Sequence, residues 1–167
     1  MAALNSEDLE SISNPIDLVE EIVAANQWTF SRCDNDEMIV EVQGRWCSYR
    51  LHFLWREDLG ALYFSAAFDG PIKTDGKKNV YELLARANEK LWMGHFELSH
   101  DEQVPLFRQT CLMRGQWAAS VEQIEDLVEI ALVECDRFYP AFQYVADGGR
   151  NATQALQLSM VDTVGEA

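Results

Sequence analysis

The chain has 167 residues, 48% apolar and 11% aromatic, and its 28 acidic residues against 13 Lys and Arg give a formal charge of −15. That length suits one domain burying about two-thirds of its unfolded surface, and the apolar content argues against disorder. So acidic a chain repels phosphate backbones and anionic bilayers, which speaks against nucleic acid or membrane as a partner.

Residues 1–13 are polar and acidic and read as a flexible arm. A helix then opens at Asn14-Pro15. Asn14 can cap, Pro15 suits a first turn that needs no donor, and Asp17 meets the positive end of the dipole. Ile16, Val19, Ile22 and Val23 supply its apolar stripe, which runs out near Asn26. Three strands are expected next. In the first, Met38, Val40 and Val42 alternate with polar residues, and Gly44 permits a tight turn. In the second, Cys47, Tyr49, Leu51, Phe53 and Trp55 share one side, opposite Trp46, Ser48, Arg50, His52, Leu54 and Arg56. The third, residues 61–68, is apolar on both faces and reads as central or doubly covered.

A loop from Asp69 to Lys78 leads to a second helix over about Asn79 to Trp92. Two strands follow at roughly 94–100 and 105–113, joined by the turn His100-Asp101-Glu102-Gln103, with Pro105 placed at a strand start. The last helix begins with a capping box, Ser120 and Gln123, and Pro140 should kink or end it. Residues 147–167 form a tail that can hold a short extra helix. The expected domain is therefore residues 14–146. Its order is α-β-β-β-α-β-β-α, an α+β fold with a five-stranded antiparallel sheet and helices mainly on one face.

That order matches the type III secretion chaperone-like fold. Locally, Leu91-Trp92-Met93-Gly94-His95-Phe96-Glu97-Leu98, the strand from Leu106 to Arg114, and Gln123 to Tyr139 resemble the YbjN family of bacterial proteins, described as sensory transduction regulators. The resemblance spans roughly residues 15–145. It implies a cytoplasmic, non-enzymatic protein with a regulatory or chaperone-like role that forms a homodimer, and it carries over no catalytic residue.

The remaining constellations agree with that reading. No apolar run approaches the roughly 20 residues of a bilayer span, and Met1 to Ser13 lack the layout of a secretory signal, so a cytoplasmic chain is expected. Cys33, Cys47, Cys111 and Cys135 show no Cys-x-x-Cys spacing and read as reduced core residues. His95 and Glu97 have the His-x-Glu spacing of zinc deaminases, but the required Pro-Cys-x-x-Cys partner is missing. On a strand the two share a face and can pair with each other. A metal hydrolase would rest on those two residues alone, and no metal, cofactor or catalytic residue is assigned. Asp75-Gly76-Lys77-Lys78 lacks the glycine-rich cradle of a phosphate loop.

Charge is unevenly distributed. Residues 1–41 and 101–167 carry most of the acids, whereas residues 42–100 are nearly neutral. The mixture of Trp46, Arg50, His52, Leu54 and Arg56 opposite the apolar row has the aromatic and arginine character of protein interfaces, and these five are the candidate partner-binding residues. Binding of a protein partner through the sheet face or strand edges is the leading expectation. The alternative is a ligand-responsive regulator with a small-molecule pocket between sheet and helices, suggested by His52, Tyr63 and His95 among the aromatics.

Overall fold

The computed structural model describes residues 13–71, 77–116, 118–146 and 151–164. The expected acidic arm, residues 1–13, therefore lies almost wholly outside the described residues. Helix α1 (Pro15–Ala25) starts as its sequence dictates, with the Asn14 side chain accepting the Ile16 N–H at 2.9 Å and Asp17 in the first turn. Ile16, Val19, Ile22 and Val23 are buried along its inner stripe.

Six strands follow, β1 (Thr29–Arg32), β2 (Glu37–Gln43), β3 (Ser48–Arg56), β4 (Ala61–Ala67), β5 (His95–Leu98) and β6 (Pro105–Leu112). They form one antiparallel sheet in the order β1-β2-β3-β4-β6-β5. Helix α2 (Lys77–Asn88) carries the chain from β4 to the far edge, so that β5 and β6 return as a hairpin with β6 against β4. Helices α3 (Val121–Ala146) and α4 (Ala152–Val164) complete the chain.

The sheet has six strands rather than five. β1 carries no apolar alternation, since Thr29, Phe30 and Ser31 are exposed and Arg32 half-buried. Its position comes from elsewhere, through pairing with β2 and through Arg32, which reaches Asp17 at 2.7 Å and Glu20 at 2.6 Å on α1. α2 ends at Asn88, short of Trp92, because the Asn88 amide turns onto the next strand. It accepts the Phe96 N–H at 2.7 Å and donates to the Phe96 carbonyl at 3.0 Å.

α3 opens with the expected reciprocal box, Gln123 N–H to Ser120 Oγ at 3.1 Å and Ser120 N–H to Gln123 Oε1 at 3.0 Å. The helix does not end at Pro140 but continues to Ala146. A proline inside a helix leaves the carbonyl four residues earlier without its donor. Here that carbonyl belongs to Asp136, and the Trp46 indole N–H supplies the missing bond at 2.9 Å.

All helices pack on one face of the sheet. Beneath them lie Met38, Val40, Tyr49, Leu51, Phe53, Leu62 and Phe64. A ring cluster of Phe68, Phe96, Phe107, Phe138 and Phe142 joins the sheet to α3, its centroids spaced 5.3–6.1 Å in mostly edge-on geometry. Ala152, Ala155 and Leu156 of α4 are buried in the same core, so the C-terminal tail supplies a packed helix. β4 is central but covered on one face only. Its other face is lined by the small residues Ala61, Ser65 and Ala67, which the longer side chains of β3 and β6 shield. Of the cysteines, Cys135 alone is fully buried. Cys33 is exposed, and Cys47 and Cys111 lie between.

Candidate functional site

The face of the sheet turned away from the helices is the candidate site. Period-two alternation along β3 sends Tyr49, Leu51, Phe53 and Trp55 under the helices, and Ser48, Arg50, His52, Leu54 and Arg56 to this open face. The register carries the same face across the sheet. Ile39 stands opposite His52, His52 opposite Ser65, Ser65 opposite Arg108, and Arg108 opposite His95.

Side chains on this face bind one another in a chain. The His52 ring meets Glu37 Oε1 at 2.7 Å and packs edge-on against Tyr63, with centroids 5.7 Å apart. The Arg108 guanidinium lies 4.9 Å from the centre of the Tyr63 ring and reaches Glu97 at 3.4 Å. His95 shares the same Glu97 carboxylate at 3.5 Å. Glu37, His52, Tyr63, Arg108, Glu97 and His95 thus form one continuous polar and aromatic band from β2 to β5. Arg50 pairs with Glu102, and Arg56 grips Asp58 through two nitrogens at 2.8 Å, holding that carboxyl below its usual range.

Four of the five residues expected on this face are there, namely Arg50, His52, Leu54 and Arg56. Trp46 is not. It lies in the β2–β3 turn, outside the strand whose alternation would have aimed it, and its indole is bound to α3. The turn is drawn to that helix by Asp136, whose Oδ1 accepts the Tyr49 hydroxyl at 2.7 Å and the Arg45 N–H at 3.0 Å. Gly44 is required there because a Cβ would sit 2.1 Å from the Tyr49 ring. Burial and the neighbouring Asp136 push the Tyr49 hydroxyl far above its ordinary range, so it stays protonated and remains the donor.

Glu37 and Arg108 are the members that sequence reasoning does not reach. Their signal is pairing between strands distant in sequence, which period-two alternation within one strand does not reveal. The band offers charge-assisted contacts and aromatic surface. His95 and Glu97 pair as their spacing implied, and among the described residues no group of three His, Cys, Asp or Glu side chains is placed to hold a metal ion. No described helix is long and apolar enough to cross a membrane.

Comparison with known proteins addresses the fold and family. The crystal structure of YbjN from E. coli, described there as "a putative transcription regulator", superposes with a TM-score of 0.52 at 10% identity, over 79% of this chain and 89% of that one. At that identity the likeness speaks for the fold. No curated protein matches the chain. The family model YbjN, "Putative bacterial sensory transduction regulator", matches residues 15–144. With its helix-covered antiparallel sheet and a match over most of its length, the chain belongs to the YbjN family.

Proposed function

We propose that this protein is a non-enzymatic, chaperone-like or regulatory interaction protein of the cytoplasm. It binds a protein partner through the open face or free strand edges and acts as a homodimer. The observation that carries the reading is the uncovered band of Arg, His and Tyr side chains on a sheet whose other face is fully packed. Half-buried aromatics and arginines on a rigid surface have the composition of interface centres. The regulatory description of the family agrees with it. The E. coli relative is described as a transcription regulator, but the present chain is poorly suited to direct contact with DNA. Its charge is −15, and Arg50, Arg56 and Arg108 on the open face each face a carboxylate.

The test is crosslinked copurification from lysate, comparing the natural chain with an Arg50→Ala/His52→Ala/Arg108→Ala variant, alongside light scattering. A partner captured by the first and lost by the second, with a dimeric mass, is expected. A monomer that captures nothing, or equal capture by both chains, would overturn the reading.

A second reading, a small-molecule sensor, is favoured by a hollow of about 480 Å³ at the rim of the open face, bordered by Tyr49, Arg50, Phe68 and Glu102. Its volume falls within the range of ligand sites. A thermal-shift screen with nucleotides and metabolites decides it, since a ligand that binds the folded state raises the melting temperature.

A further inference from the structure

β6 is longer than its outer neighbour. β5 pairs with it only from Pro105 to Arg108, the last pair being His95 with Arg108, while β6 continues to Leu112. The Met113 N–H donates to the Gly60 carbonyl at 2.8 Å, which fixes the hydrogen-bonding parity of the β4–β6 ladder. By that parity the backbone N–H and C=O of Thr110 and Leu112 point outward, away from β4. Among the described residues nothing bonds to them.

The gap is fixed by local sequence. Gly94 has φ +66, and a Cβ there would sit 2.1 Å from the Phe107 ring, so the chain turns into the sheet at that glycine and β5 cannot begin earlier.

Beside this edge, between β6 and α3, lies a groove of about 210 Å³. Phe107, Met113, Ile124 and Leu127 are its buried floor, and Met93 flanks it. Leu112 is 74% exposed and Trp92, next to Met93, is 98% exposed. Asp126 is the only charged residue lining the groove, and no basic side chain pairs with it or with Glu129 one turn along among the described residues. This contrasts with the open face, where Glu97 and Glu102 pair with Arg108 and Arg50 and Glu37 meets the His52 ring.

We propose that the edge Gln109–Leu112 and this groove accept an extended apolar segment of a partner protein bearing a lysine or arginine, added as a further strand of the sheet. The outward backbone groups of Thr110 and Leu112 supply the main-chain bonds, alternate apolar side chains fill the groove, and the basic residue meets Asp126. This rests on the protein-binding reading above and names where on the sheet, and with what chemistry, one such contact forms.

The test uses the full chain and a panel of labelled octapeptides that alternate valine, isoleucine or leucine with threonine, each carrying one lysine. A matched panel carries glutamate instead. Fluorescence anisotropy should show binding by lysine peptides, and hydrogen exchange should slow at the Thr110 and Leu112 amides. Asp126→Lys, at an exposed position, should weaken lysine peptides about tenfold and strengthen the glutamate panel. Thr110→Pro removes an outward donor at an edge where proline is tolerated and should abolish binding. Tyr81→Ala, on the exposed surface of α2, should bind the peptides as the natural chain does.

No binding by any lysine peptide, or binding indifferent to both groove variants, overturns the proposal. So does a dimer of this chain that Thr110→Pro converts to monomer, because a second copy then occupies the edge. A lysate partner retained by Thr110→Pro but lost with the open-face variant would overturn this assignment alone and leave the open-face reading standing.

Discussion

Along β3, Tyr49, Leu51, Phe53 and Trp55 are buried beneath the helices, while Arg50, His52, Leu54 and Arg56 lie on a face that no helix covers. Nine residues thus write two surfaces held together in different ways. The covered face gains its stability from removing aromatic and aliphatic area from water, and its five-phenylalanine cluster ties the sheet to α3. The open face has no such burial. It is ordered by cross-strand pairs and by rings and guanidinium groups leaning on one another, each worth a fraction of a kcal/mol to about 1 kcal/mol. The first face builds the molecule, and the second keeps polar and aromatic side chains that no helix covers.

The comparison can be broken by substitution, beginning on the covered face. Phe96→Ala removes a ring that touches Phe68, Phe107, Phe138 and Phe142, and should destabilise by about 3–5 kcal/mol in urea unfolding. A loss below about 1 kcal/mol would mean that the cluster is not the core.

The contact between hairpin and helix comes next. Trp46→Phe leaves the Asp136 carbonyl without the donor that Pro140 denies it, and should cost about 1–2 kcal/mol. Pro140→Ala restores a helical N–H to that carbonyl, so in its background Trp46→Phe should cost much less. A double-mutant cycle that is simply additive would contradict this role for Trp46.

The third effect is on pH. Burial holds the Cys135 thiol well above its usual range, and the unfolded chain ionises first, near pH 8.5. Above that pH the unfolded state binds fewer protons than the folded one, so stability should fall as pH rises, by up to about 1.4 kcal/mol per unit for this group. Below it, Cys135 adds no pH dependence. A Cys135→Ala variant with an unchanged alkaline slope would remove this account. Thiol titration of the native chain should modify Cys33 first and Cys135 only on unfolding.

The smallest effect belongs to the open face. Arg108→Ala should cost less than about 1 kcal/mol, because its ion pair with Glu97 and its contact with Tyr63 are partly solvated. A cost like that of Phe96→Ala would erase the distinction between the faces.

Much of this was legible in the sequence wherever one element carries its own signal. The Asn14 cap, the Ser120–Gln123 box and the alternation of β3 need no tertiary information, and the element order with its hairpin-length connections implies an antiparallel sheet with helices mainly on one face. What stayed hidden depends on partners remote in sequence. β1 is a strand because β2 pairs with it and Arg32 reaches α1. Pro140 is tolerated because Trp46, ninety-four residues earlier, donates to the carbonyl it strands, and the same bond takes Trp46 away from the face assigned to it. Arg108 and Glu37 joined the site only when strand order set them near Tyr63 and His52.

The central claim is that the open face, not the outer surface of α2, meets the partner. A photo-crosslinking p-benzoylphenylalanine placed at Leu54 on the open face, and separately at Tyr81 on the exposed surface of α2, tests this in one experiment. Adducts with a discrete protein at Leu54 and none at Tyr81 are the predicted result. Adducts at Tyr81 with none at Leu54 would contradict it.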